Sequence, residues 1–143
     1  MPRFARTIDV SCPPDKAYSY LSDIVNHAGW SSHGLKVTKT SDGPVAVGTT
    51  FSTEGQQMGT HHGVVTITEL VPGQKIVYES NDDTGRMRHE FDLAPDNGGT
   101  RLTKSFEPIK TGLMLTIFRP MMYVVQPRML DADLRKIKAQ LET

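Results

Sequence analysis

Between Leu113 and Val125 the chain reads LMLTIFRPMMYVV, thirteen residues of which only Thr116, Arg119 and Pro120 are neither apolar nor aromatic. A chain of 143 residues makes one domain, residues 1–143, and hides roughly 68% of its unfolded surface on folding. The run must therefore find cover in that single core or serve as a working surface. Crossing a bilayer takes about 20 apolar residues. Thirteen, interrupted by Arg119 and Pro120, are too few, and no stable membrane insertion is expected.

Helical spacing organises the run. Leu113, Ile117, Met121 and Val124 form a stripe that continues past Pro127 through Leu130, Leu134, Ile137 and Leu141. A second stripe, Met114, Phe118, Met122, Val125 and Met129, lies one residue on, hence about 100° around the helix. The end of the helix thus offers one apolar face, while its first half is apolar over roughly twice that arc. Pro120 and Pro127 lack a donor and crowd the preceding turn, so they are expected to kink or split it.

The rest of the chain supplies what the helix can pack on. In RFARTIDV, Phe4, Ile8 and Val10 alternate with Ala5, Thr7 and Asp9, predicting a strand on whose apolar face Arg6 is the exception. SCPPDKAYSYLSD switches period, with prolines and Asp15 suited to a helix start and Ala17, Leu21 and Ile24 at helical spacing. IVNHAGW predicts another helical turn or two, ended by a left-handed Gly29. From about Leu35 to Pro108, separators such as TSDGP, VPGQ, NDDTG and PDNGG punctuate strand-length runs. Connections that short imply antiparallel neighbours, a meander of about six strands.

Charge and cysteine content exclude several roles. Sixteen basic residues balance sixteen acidic ones, which leaves no general field to attract nucleic acid. The single cysteine, Cys12, has no internal disulfide partner, and MPRFARTIDVS lacks the apolar stretch of a secretion signal, so a cytoplasmic protein is expected. No cofactor is expected, since neither a Gly-Lys-Ser/Thr phosphate loop nor a Gly-x-Ser-x-Gly elbow occurs. His33, His61, His62 and His89 invite a metal reading, but adjacent strand residues point to opposite faces and no spaced ligand motif is present; no metal is expected.

An antiparallel sheet of this size needs cover on its apolar face, and the long terminal helix is the large element available. A coiled sheet around one kinked helix is expected to leave an apolar pocket. The element order, with IDVSCPPDKAYSYLSDIVNHAGW (8 to 30), VTITELVPGQKIVYES (65 to 80), GGTRLTKSFEP (98 to 108) and DADLRKIKAQLE (131 to 142), resembles the START-like or SRPBCC superfamily and, within it, the polyketide cyclase/dehydrase and lipid transport group. The resemblance implies an α+β helix-grip fold: a curved antiparallel sheet of about seven strands around a long C-terminal helix, with two short helices after the first strand. It implies a hydrophobic ligand held between sheet and helix. Pro127, a second proline in that helix, departs from the usual pattern.

Candidate site residues follow from the faces. In GRMRHEFDL, Met87, His89 and Phe91 share one face with Leu93, while Arg86, Arg88, Glu90 and Asp92 form a row expected to face solvent. His89 is either a ligand hydrogen-bonder and general acid/base or a satisfied core histidine. His61 shares a face with Val65 and Ile67 and is either a pocket residue or an exposed strand-end histidine. Trp30 walls the pocket mouth or packs in the core, and Tyr78 and Tyr123 each offer an apolar body with one hydroxyl. Phe118, Met121, Met122 and Val125 are the helix's candidates, methionine being adaptable to varied apolar shapes. The leading expectation is a non-catalytic carrier of a lipid, isoprenoid or polyketide-like molecule. The alternative is a cyclase, dehydratase or aromatase using His89. A third expectation gives the second apolar stripe to a homodimer or a reversible lipid contact.

Overall fold

The computed structural model describes residues 3–31, 34–56 and 59–143. Strand β1 (Phe4–Val10) is followed by helix α1 (Pro14–Ser22) and a 3-10 turn (Ile24–Gly29). Six strands come next: β2 (Lys36–Lys39), β3 (Thr50–Gly55), β4 (His61–Val71), β5 (Lys75–Asp82), β6 (Gly85–Asp96) and β7 (Gly99–Thr111). Helices α2 (Leu113–Ile117) and α3 (Arg119–Leu141) close the chain. The strands form one antiparallel sheet in the order β1-β7-β6-β5-β4-β3-β2, so the first strand returns to pair with the last, Phe4 opposite Phe106 and Val10 opposite Thr100. The expected α+β fold, with seven strands, is the one observed.

Local chemistry explains the joints. Pro14 opens α1, where its missing N–H costs no intrahelical bond, and Asp15 lies in the first turn. The β6–β7 hairpin turns on Asn97 and Gly98, both with positive φ, 48° and 81°, as a two-residue turn matched to sheet twist requires. Gly29 departs from expectation, since its φ is not positive. A Cβ there would lie at ordinary contact distance, 3.4 Å, from the Tyr20 hydroxyl.

The main core lies beneath the sheet. Phe51, Ile67, Ile76 and Phe91 from the strands meet Leu21 and Ile24 from the chain after β1 and Leu134, Ile137 and Leu141 from α3. A smaller cluster, Phe4, Met87, Phe106, Met122 and Leu130, continues it toward the start of α3. The far end of α3 is pinned: Lys16 donates to the Leu141 carbonyl (2.9 Å), Lys138 to the Asp9 carbonyl (2.8 Å), and Glu142 accepts from the Ser11 amide (2.7 Å). At the near end, α2 contributes no fully buried residue.

The helix breaks at Phe118, just ahead of Pro120, while Pro127 sits inside a continuous α3. The buried face is set within α3 itself. Met122, Leu130, Leu134, Ile137 and Leu141 point inward, and Leu113, Ile117, Met121 and Val124 are exposed. The expected continuous stripe from Leu113 to Leu141 is therefore not one face: its first half looks outward, and Met122, from the second stripe, is the residue buried there.

Candidate functional site

Three elements converge on Lys104. Alternation along β7 turns Leu102, Lys104 and Phe106 to the inner face, which places a lysine under the sheet at 4% exposure. Its ammonium lies 5.5 Å from the centre of the Trp30 ring and 5.7 Å from that of Phe91. Those two rings meet edge to face at 5.9 Å. From α3, Asp133 is buried among Leu130, Leu134 and Ile137, and its charge acts on Lys104. Burial pushes the ammonium below the ordinary lysine range, and Asp133 opposes that shift.

Three residues per turn bring Ile24, His27 and Trp30 to one side of the 3-10 turn. His27 is buried, its ring 4.6 Å from Trp30 and 5.3 Å from Tyr78. Its Nε2 lies 2.9 Å from the Leu21 carbonyl, an acceptor only, so that nitrogen carries the hydrogen. Burial lowers its pKa to about 3, with the Leu21 bond opposing and the Lys104 charge assisting. The ring is neutral at pH 7. Burial, then Asp133, raises the Tyr78 phenol above the usual range.

A second polar pair adjoins this cage. Tyr78 and His89 face each other across β5 and β6 with rings stacked at 4.7 Å and 5°. The Ser80 hydroxyl lies 2.9 Å from His89 Nε2, and Phe106 packs 5.3 Å from the same ring. Trp30 Nε1 is buried and has no acceptor among the described residues. A buried donor without a partner costs about 1–3 kcal/mol.

The structure divides the expected site residues into groups. Trp30, Tyr78, His89 and Phe91 form one continuous set of ring contacts around Lys104. Met87 and Met122 lie in the adjoining apolar cluster, and Val125 is half-buried. Phe118 and Met121 are exposed. His61 stands at the start of β4, 2.6 Å from the Asp83 carboxylate. His33 lies outside the described residues. Among the described residues no group of three or more His, Cys, Asp or Glu is placed to hold a metal.

One expectation changes here. The row opposite His89 does not all face solvent: Glu90 is buried, held by Arg88 at 2.7 Å and Arg3 at 3.5 Å. Asp92 beside it is pushed up to about 6, first by burial and then by Glu90. Two clefts of about 300 and 240 Å3 are lined by Val64, Thr66 and Glu79 and by Thr38, Ser52 and His62, on the outer face of the sheet. Beneath the sheet, Trp30, Tyr78, Phe91 and Lys104 are all buried.

Sequence reasoning missed Lys104, Asp133 and His27, although each left a signal. Lys104 breaks an apolar alternation, Asp133 breaks an apolar helical stripe, and His27 stands midway between Ile24 and Trp30 at a spacing of three.

A family model described as polyketide cyclase / dehydrase and lipid transport matches residues 1–142. Among solved structures, a Chromobacterium violaceum protein is 23% identical, covers 100% of this chain and 99% of its own, and superposes with a TM-score of 0.74. A Thermus thermophilus protein is 13% identical with a TM-score of 0.79, over 98% of this chain and 97% of its own. The Zhui aromatase/cyclase from Streptomyces sp. R1128 is 19% identical with a TM-score of 0.78, over 99% and 93%. At these identities the likeness is one of fold. No curated protein matches the chain.

Proposed function

Because this chain belongs to the polyketide cyclase/dehydrase and lipid transport family, we propose that it binds a small, mainly apolar ligand carrying an oxygen function, between the sheet and α3. The observation that supports this most is the pair of buried donors, Trp30 Nε1 without an acceptor among the described residues and the Lys104 ammonium beside its ring. Hydrocarbon alone would leave the indole N–H unserved; a phenol, enol, carbonyl or carboxylate oxygen would accept from it beside the Lys104 ammonium in a low-dielectric site. Flat rings suit the surroundings of Trp30, Phe91 and Tyr78, which pack edge to face and tilted.

Access is by the start of the C-terminal helix. Its far end is held by buried leucines and three polar ties, whereas α2 and the first turn of α3 hold chiefly through Met122 and Leu115. Segments with few buried contacts open at the lowest cost. Lifting that segment exposes the cage beside Phe118, Met121 and Val125.

A second reading, chemical conversion of the bound molecule, is favoured by the Ser80–His89–Tyr78 arrangement. A histidine hydrogen-bonded to a hydroxyl and stacked on a phenol can move a proton to or from a ligand oxygen or its α-carbon. The solved relatives of this fold include two described as aromatase/cyclases.

Native mass spectrometry of freshly purified protein, followed by organic extraction, tests the binding reading. A retained species of small mass is expected in the wild type, with occupancy reduced about tenfold or more in Lys104→Met, the loss of one charged hydrogen bond. Equal retention by the variant would take Lys104 out of the site. Conversion of the extracted compound by wild type but not by His89→Phe would favour the second reading.

A further inference from the structure

Helix α2 and the first turns of α3 carry an exposed apolar face. Leu113, Met114, Ile117, Phe118, Met121 and Val124 range from 46% exposed at Phe118 to 79% at Leu113. A contiguous apolar surface of this kind on a small chain marks a place of contact. Its charge is one-sided. From Pro108 to Leu130 the chain holds Lys110, Arg119 and Arg128 and no aspartate or glutamate, in a protein whose total charge is zero. All three cations are exposed. Glu107 precedes the segment and Asp131 follows it, the latter paired with Arg6 at 3.7 Å; Asp83 is paired with His61 at 2.6 Å.

We propose that this face docks reversibly on an anionic lipid bilayer. The apolar side chains enter the boundary between headgroups and acyl chains, and Lys110, Arg119 and Arg128 meet the anionic headgroups. Short helices with an apolar face and basic flanks lie in that plane without crossing it. Among the described residues no helix is long and apolar enough to cross a membrane. A second copy of the chain fits the same surface less well. Pairing two such faces about a twofold axis sets cations against cations, with no carboxylate in the segment to answer them.

Vesicle flotation tests the proposal, using phosphatidylcholine alone and phosphatidylcholine mixed with phosphatidylglycerol. The wild type is expected to float with the mixed vesicles, to remain behind with phosphatidylcholine alone, and to be released as salt is raised. Removing a cation, in Arg119→Ser or Arg128→Ser, weakens partitioning roughly fivefold each. Ile117→Glu with Val124→Glu, both at exposed positions, abolishes it while the thermal unfolding midpoint stays near that of the wild type. Equal binding to both vesicles, or binding to neither, overturns the proposal. So does a concentration-dependent dimer that the glutamate pair dissociates in the absence of any lipid binding. None of these variants touches Lys104 or Trp30, so the outcome is independent of the ligand-binding reading.

Discussion

His27 is buried as a neutral ring, and that has a measurable cost in acid. Its pKa falls from the ordinary 6.5 to about 3 on folding, so the unfolded chain takes up the proton first as pH drops. The stability that this ring contributes is whole above about pH 6.5 and is lost as pH falls from there toward about 3. Urea midpoints measured across that window should fall steadily in the wild type and less steeply in His27→Gln; parallel slopes would contradict a buried neutral histidine. At this scale the sequence was partly legible. Alternation in GRMRHEFDL correctly set His89 beside Met87 and Phe91 on the inner face. It did not reveal that Lys104 and Asp133 would meet, because the meeting depends on where α3 crosses β7, which no local pattern encodes. Both residues nevertheless interrupt apolar patterns, and a charge that interrupts a buried face needs a partner.

At the scale of elements, the C-terminal helix separates what pattern can and cannot give. That residues 113 to 141 are helical followed from spacing; which face turns inward did not. Apolar residues surround the first half, and within α3 the nine residues from Met121 to Leu130 put the two about 180° apart, so Met122 and not Met121 is buried. The consequence is asymmetric. Leu134→Ala, at a fully buried site, should cost about 2–5 kcal/mol. Val124→Ala, on the stripe expected to be continuous with Leu134, should change stability by no more than about 0.5 kcal/mol, as at other exposed sites. Urea unfolding of the two variants checks this, and equal losses would mean that α3 is rotated from the arrangement described. The strands were more legible, since turn residues such as Asn97 and Gly98 act locally and the sheet follows from short connections.

For the whole molecule, the order of elements and the single curved sheet against a terminal helix were readable from one sequence. The state of the space between them was not. A surplus of apolar circumference on the helix suggested a hollow; much of that surplus, from Leu113 to Val124, lies on the surface, while Trp30, Phe91, Tyr78 and Lys104 are buried beneath the sheet. Volume filling depends on side-chain packing in three dimensions, which periodicity does not carry. In the binding reading proposed above, the ligand meets Trp30. The chain has one tryptophan, so a proton–nitrogen correlation spectrum contains one indole N–H signal, and titration with a flat phenol such as 2-naphthol reads it directly. Binding between sheet and α3 predicts that this signal moves downfield as Nε1 gains an acceptor, and that Lys104→Met weakens the titration. An indole signal that stays fixed while signals from Val64, Thr66 and Glu79 on the outer face shift would contradict an interior site.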